Sequence, residues 1–172
     1  MSRVFRLTVL SFVALAAFAA TSGRSALEAQ QAPTAATVYP CRGFDEPMQR
    51  SPQQISRGRV LPLRGKLMLP GGGFCSRTTV KTPPALTLKF HPAGGAEVDK
   101  TAGMEVRDYG KGNSFVWDDE AHWKFDLGTG NLPDDGEYVA SMVSGDEKEY
   151  RLDPPCTITF NLHGGGGNEK EK

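Results

Sequence analysis

Two tryptophans, Trp117 and Trp123, are the residues best suited to hold a ligand by stacking. An indole ring offers a large, rigid apolar surface on which a sugar ring or a partner protein packs. Phe115 and Phe125 lie two residues outside them, which is the spacing of residues on one face of a strand. We therefore expect either that these rings face a core, or that one tryptophan points outward as a stacking platform.

Acidic residues near the tryptophans have the chemistry to bind Ca²⁺ through carboxylate oxygens in loops. The candidate groups are Asp118-Asp119-Glu120 with Asp126, and Asp134-Asp135. The EF-hand spacing is absent, and acidic residues in solvated turns explain the pattern equally well. No Cys-x-x-Cys and no pair of histidines has the spacing of a zinc site. We assign no metal ion and leave calcium open.

The chain carries no motif for hydrolysis or phosphoryl transfer. A nucleophile turn of the type Gly-x-Ser-x-Gly is absent. The glycine runs at 71–73 and 164–167 precede no helix with Lys-Ser or Lys-Thr, so they predict no phosphate cradle. We interpret His91, His122 and His163 as surface residues. Without a nucleophile, base and stabiliser to combine, we predict no catalytic residue, no cofactor and no enzyme activity.

Three cysteines, an odd number, remain in the chain beyond its N-terminal segment: Cys41, Cys75 and Cys156. In an up-and-down arrangement of strands, Cys75 and Cys156 reach the same end of the fold, and Cys41 can lie near both. We predict a Cys75–Cys156 disulfide, which closes a loop of about 80 residues and contributes up to about 4 kcal/mol. Cys41 is then free, or links two chains as a dimer.

The N-terminus has the pattern of a secretory signal peptide. Arg3 and Arg6 precede an apolar run from residue 7 to residue 20, shorter than the roughly 20 residues that cross a bilayer. Cleavage is expected after Ala19 or after Ala29. We predict export to the periplasm, cell surface or extracellular space, with no membrane span after cleavage.

Length and charge exclude several classes of protein. The 172 residues have room for one domain, and 20 Gly with 12 Pro favour turns over long helices. The 20 basic and 20 acidic residues balance, but loss of Arg3 and Arg6 on export leaves 18 against 20. The exported chain is therefore slightly acidic, without a basic patch for nucleic acid or acidic lipid.

Apolar residues alternate with polar ones through most of the chain, which predicts strands. We expect a signal and cleavage region at 1–29, a disordered leader at 30–37, a β-sandwich at 38–163 and a flexible tail at 164–172. Strands are predicted at 60–69, 86–90, 104–107, 114–117, 123–127, 138–143 and 157–162. About seven short strands favour an all-β fold, an immunoglobulin-like antiparallel β-sandwich.

One local motif supports that fold. Asp134, Gly136 and Tyr138 have the spacing found where a loop enters the penultimate strand of an immunoglobulin-like sandwich. There the tyrosine hydroxyl binds a backbone group and fixes the corner. The alternative is an ordinary Asp-Gly hairpin turn with a core tyrosine. Ala140 stands where antibody domains carry a core cysteine, so that inter-sheet disulfide is not expected.

Two segments carry a resemblance to a known family: Gly43-Phe44-Asp45-Glu46-Pro47 and, after Gly58, the segment 61–67 (Leu-Pro-Leu-Arg-Gly-Lys-Leu). Their order and spacing resemble the motifs of the PxKF domain of secreted and surface proteins of bacteria. The later aromatic pair resembles Phe115-Val-Trp117 and Trp123-Lys-Phe125. Arg64 occupies the family's Lys position, and Gly65 departs from its Phe. The resemblance implies a β-sandwich appended to extracellular proteins, with no catalytic residues.

These observations predict a secreted, non-enzymatic β-sandwich module for interaction or adhesion at the cell envelope or outside the cell. The alternative is a carbohydrate-binding module in which Trp117 or Trp123 stacks on a glycan. The expected partner is accordingly a protein or a glycan, which the sequence does not name.

Overall fold

The computed structural model describes residues 36–118 and 120–164. The expected signal and cleavage region at 1–29, the leader at 30–35, Asp119 and the tail after Gly164 lie outside the described residues. The described residues form one compact unit. In the part that the structure describes, no helix has the length and apolarity needed to cross a bilayer.

Short strands and one 3₁₀ turn at Thr101–Gly103 make up the regular structure of this part of the chain. The strands are β1 (Thr37–Tyr39), β2 (Cys41–Phe44), β3 (Gln53–Ser56), β4 (Val60–Leu67), β5 (Ala85–His91), β6 (Val98–Asp99), β7 (Glu105–Val106), β8 (Val116–Trp117), β9 (Trp123–Gly128), β10 (Gly136–Val143), β11 (Tyr150–Leu152) and β12 (Cys156–His163).

Two five-stranded sheets form an immunoglobulin-like β-sandwich, as predicted. Sheet I has the order β3-β12-β10-β5-β6, and sheet II has the order β2-β4-β9-β7 with β8 beside β9. The prediction of about seven strands was too low, because β1, β2, β3, β6 and β11 are short segments without clear alternation. Pairing is antiparallel except for two parallel ladders, β1 with β11 and β3 with β12.

The core lies between the sheets and follows from the alternation within the long strands. In β4 and β9, alternate residues such as Leu63 and Phe125 are fully buried, whereas Arg64 and Lys124 face away from the core. Sheet I contributes Tyr138 and Phe160, whose rings stack with centroids 5.4 Å apart. Each buried ring or leucine contributes about 1.5–3 kcal/mol, so this layer supplies most of the stability.

Tyr138 forms the predicted corner. Its hydroxyl donates a hydrogen bond to the Asp134 carbonyl oxygen at 3.0 Å, and its ring is fully buried. Gly136 has φ of 140°, a backbone conformation that favours glycine. Burial raises the pKa of Tyr138 above its ordinary value, so the hydroxyl keeps the proton that it donates. The corner thus fixes the entry of the chain into β10.

The predicted Cys75–Cys156 disulfide is wrong, and Cys41 pairs with Cys156 instead. The sequence did not reveal β2, which pairs with β4 so that Cys41 lies opposite Leu67. The Cys41 amide also donates to the Pro154 carbonyl at 2.9 Å, which brings β2 to the start of β12. The bond therefore joins the two sheets, and Cys41 is not available to link two chains. Cys75 keeps a buried thiol, whose pKa burial raises to about 11.

Gly65 faces the core beside this disulfide. A Cβ atom at position 65 would lie 2.8 Å from Met142 Cε and 3.4 Å from Cys156 Sγ. The disulfide and the methionine fill the volume that a larger side chain at position 65 would need.

We expect replacement of both Cys41 and Cys156 by alanine to lower the free energy of unfolding by about 5 kcal/mol, measured in urea. The bond closes a loop with a sequence separation of 115, and the magnitude is the chain-entropy value for such a loop. The matched control is Cys75→Ala, which keeps the disulfide and its non-reducing electrophoretic mobility. A Cys75→Ala protein with two reactive thiols would contradict the Cys41–Cys156 pairing.

We expect Tyr138→Phe to lower the free energy of unfolding by about 1–3 kcal/mol, because the Asp134 carbonyl loses its donor while the ring stays in place. Tyr109→Phe is the control, since Tyr109 is 44% exposed and its change should stay within about 0.5 kcal/mol. Equal effects of the two substitutions would show that the corner hydrogen bond contributes nothing.

Candidate functional site

The two tryptophans meet at the end of the β8–β9 hairpin. Trp117 lies opposite Trp123, and their rings touch edge to face with centroids 5.1 Å apart. Trp123 is only 2% exposed, and Phe115 and Phe125 are fully buried. The rings therefore belong to the core, so Trp123 is not a stacking platform. Trp117 is half-buried and packs against the same core.

Lys124 follows Trp123 and points to the opposite side of the sheet. Its ammonium forms an ion pair with the Asp118 carboxylate and lies 5.2 Å from the centre of the Tyr109 ring. The side chains of Lys124 and Asp118 are 12% and 13% exposed. Burial alone would raise the pKa of Asp118, but the Lys124 ammonium and the His122 amide together lower it. Asp118 is therefore a carboxylate at neutral pH.

His122 is a second partly buried polar residue on this side of the sheet. Its side chain is 12% exposed, so the prediction of a surface residue was wrong. Nε2 lies 2.7 Å from Asp45 Oδ2, and Nδ1 lies 3.6 Å from Asp118 Oδ1. Asp45 also lies 4.0 Å from the Lys66 ammonium of β4. The imidazole thus connects the segment after β2 with the hairpin.

The hairpin loop is folded around Asp118. Asp118 Oδ1 accepts hydrogen bonds from the Glu120 amide at 3.0 Å and the His122 amide at 2.8 Å. Ala121 adopts a left-handed conformation with φ of 64°, which is uncommon for a residue other than glycine. These constraints bring the ligand atoms of Asp118, Glu120 and His122 within 4.8 Å of one another. The group predicted from the sequence, Asp118-Asp119-Glu120 with Asp126, shares Asp118 and Glu120 with this cluster and does not include His122.

The other predicted acidic groups are used in separate contacts. Asp134 lies 3.0 Å from the Lys100 ammonium, and Asp135 forms an ion pair with Arg57 and accepts from the Gly164 amide. Burial, followed by repulsion from Asp108, raises the pKa of Asp126. The predicted calcium group of Asp134 and Asp135 precedes β10 in sheet I, whereas the Asp118 loop belongs to sheet II.

An open cleft of about 490 Å³ lies where β6, the 3₁₀ turn and β7 meet, lined in part by Asp99, Thr101, Met104 and Val106. The Thr101 amide donates to Asp99 Oδ1 at 2.7 Å, and the Leu88 amide donates to the Thr101 hydroxyl at 3.0 Å. These polar groups close the turn, and we assign them no ligand.

Two exposed aromatic residues flank the polar network of sheet II. Phe74 is 45% exposed and Tyr109 is 44% exposed. Lys66 Nζ lies 5.3 Å from the centre of the Phe74 ring, and Lys124 Nζ lies 5.2 Å from the centre of the Tyr109 ring. We call this surface, formed by Phe74, Lys66, Lys124 and Tyr109, the aromatic face. Sequence reasoning missed it, because neither aromatic residue lies in a strand with visible alternation.

No family model and no curated protein matches the chain. Among solved structures, the Lin-41 filamin domain is 12% identical with a TM-score of 0.37, covering 76% of this chain and 96% of that chain. The RIG-5 IG1 homodimer structure gives 10% identity, a TM-score of 0.34 and coverage of 73% and 97%. The structure of a Titin M10–Obscurin like 1 Ig mutant complex gives 13% identity and a TM-score of 0.29. The match covers 66% of this chain and 86% of that chain. No functional statement follows from similarity at this level.

We expect Asp118→Asn to lower the free energy of unfolding by about 1–3 kcal/mol, because it leaves the Lys124 ammonium partly buried without its counterion. The double variant with Lys124→Met should lose less than the sum of the two single variants. The control is Lys89→Met, whose exposed pair with Glu97 should contribute at most about 1 kcal/mol. Strict additivity at Asp118 and Lys124 would contradict the pairing.

The same contact predicts a pH dependence. Because the folded-state pKa of Asp118 is lowered, its stabilisation is present at neutral pH and is lost as the pH falls below the ordinary aspartate range. The acid side of the stability profile should therefore be flatter in Asp118→Asn than in the wild type, measured by urea unfolding between about pH 2 and 7. Parallel stability profiles of the wild type and Asp118→Asn would contradict this contribution of Asp118.

Proposed function

We propose that the chain is a secreted, non-catalytic interaction module that binds a protein partner through the aromatic face. The observation that carries this proposal is the exposure of two aromatic rings, Phe74 and Tyr109, on the outer side of sheet II. Aromatic residues are enriched at the centres of protein interfaces, where they supply much of the binding energy.

The charges around the rings favour a protein over a polyanion. Lys66 and Lys124 alternate with Asp45 and Asp118 through direct contacts, so neither sign dominates the surface. A nucleic acid or an acidic glycan needs a continuous positive surface, whereas a protein surface of mixed charge complements this pattern. The lysines also lie against the rings, which restricts ring motion before binding.

Two features support export. The Cys41–Cys156 disulfide is of a kind that persists in oxidising compartments, and the apolar run at 7–20 has the pattern of a signal peptide. The resemblance to the PxKF domain also fits, since it implies a sandwich in extracellular proteins. The carboxylates of Asp45 and Asp118 contact the basic side chains of Lys66, His122 and Lys124, which supports a binding role over a catalytic one.

We expect a photo-crosslinking amino acid in place of Phe74 or Tyr109 to capture one specific protein from the exported fraction of the native cell. The same amino acid at Val98, which is 42% exposed outside the aromatic face, should not capture it. With the captured protein purified, Phe74→Ala with Tyr109→Ala should weaken binding at least about tenfold, since two anchor residues are lost. Val60→Ala with Val98→Ala is the matched control.

Equal affinity of the two double variants would overturn the proposal. Binding to a glycan that is lost in Trp117→Ala and kept in the Phe74 and Tyr109 double variant would replace it with the carbohydrate-binding alternative. The four exposed positions tolerate alanine, so thermal unfolding of the variants should match the wild type and exclude misfolding as the cause.

A further inference from the structure

We propose that the β8–β9 loop binds a divalent transition-metal ion of the zinc class through His122 Nδ1, Asp118 Oδ1 and a carboxylate oxygen of Glu120. This inference does not depend on a protein partner. It rests on the position of one nitrogen atom and on the groups that hold it.

The imidazole of His122 has one ring nitrogen, Nδ1, that receives no hydrogen bond from the described residues. Nε2 lies 2.7 Å from Asp45 Oδ2, which assigns the ring proton to Nε2 and leaves the lone pair on Nδ1. Nδ1 is shielded from solvent and has no hydrogen-bond partner among the described residues. A buried nitrogen without a partner costs free energy unless a cation or a proton occupies the space in front of it.

The space in front of Nδ1 has the dimensions of a coordination site. Asp118 Oδ1 lies 3.6 Å away, too far for a hydrogen bond. Two ligands of a tetrahedral zinc ion, with bonds of about 2.0–2.2 Å, lie roughly 3.4 Å apart. The carboxylate of Glu120 completes a group whose three ligand atoms all lie within 4.8 Å of one another.

Neighbouring groups orient the proposed ligands. Asp45 holds the imidazole through Nε2, the carboxylate–histidine arrangement that supports histidine ligands in metal sites. The amides of Glu120 and His122 fix Asp118 Oδ1, and the Lys124 ammonium holds the other oxygen. Ligating carboxylates are commonly hydrogen-bonded in this way.

The ligand set indicates the class of metal. Ca²⁺ and Mg²⁺ take oxygen ligands, and an imidazole nitrogen disfavours both of them. One nitrogen and two carboxylate oxygens suit Zn²⁺ and related ions, with water in the fourth position because Glu120 is exposed. This site differs from the sequence prediction, which assigned no metal, rejected zinc because no Cys-x-x-Cys or histidine pair has the required spacing, and considered the acidic loop for calcium.

The test is titration of ZnCl₂ into the tag-free, exported protein near pH 7.5, followed by calorimetry and by thermal unfolding. We expect one ion per chain, a higher unfolding temperature with zinc, and no effect of CaCl₂ at the same concentration. His122→Gln should abolish the binding. Asp45→Asn keeps all three ligands and should weaken zinc binding by about 10–100-fold.

The matched control is His91→Gln, because His91 lies 3.3 Å from Glu97 and is more exposed. It should bind zinc as the wild type does. Absence of zinc binding by the folded wild type, or undiminished binding by folded His122→Gln, overturns the proposal. If zinc does not bind and the stability instead rises on acidification through the imidazole range, in the wild type but not in His122→Gln, a proton occupies the space and the proposal is wrong.

Discussion

The pairing of β4 with β9 is the constraint on which both the core and the candidate site depend. Gly65 lies opposite Trp123 and Arg64 opposite Lys124, so the large rings enter the core while the lysine faces outward. A shift of one residue would exchange these faces along the whole strand. It would bury Lys124 and expose Trp123. The polar network therefore exists only in the register that the core requires.

The second constraint is the close approach of the two sheets at Gly65. Met142 and the disulfide reach across the core at the one inward position of β4 that has no side chain. A methyl group at position 65 would meet the terminal methyl of Met142 and approach Cys156 Sγ, so the two sheets lie close together here. The strand can keep its outward residues, among them Lys66, while the sheets approach each other closely. The aromatic face and the disulfide are in this way supported by opposite sides of the same strand.

The parts of the fold that follow from neighbouring residues were predictable. Alternation revealed β4, β5, β9, β10 and β12, and the spacing of Asp134, Gly136 and Tyr138 revealed the corner. Contacts between distant segments were not predictable. Cys41 pairs with Cys156 because of β2, a strand of four residues with a register shift and no visible alternation. His122 was judged an exposed residue because its partner Asp45 is remote in sequence.

Strand β12, the last of the described strands, holds together segments that are far apart in the sequence. β12 lies between β3 and β10 in sheet I and carries the cysteine that joins β2. Strand β3 cannot form its ladder with β12, and Cys41 of β2 cannot form its disulfide, until β12 has been added to the chain. Such long-range closure is slow, because the loop entropy is lost before the contacts form. The β3–β12 ladder and the Cys41–Cys156 disulfide, which join distant segments of the described chain, are therefore expected to be among the last contacts to form.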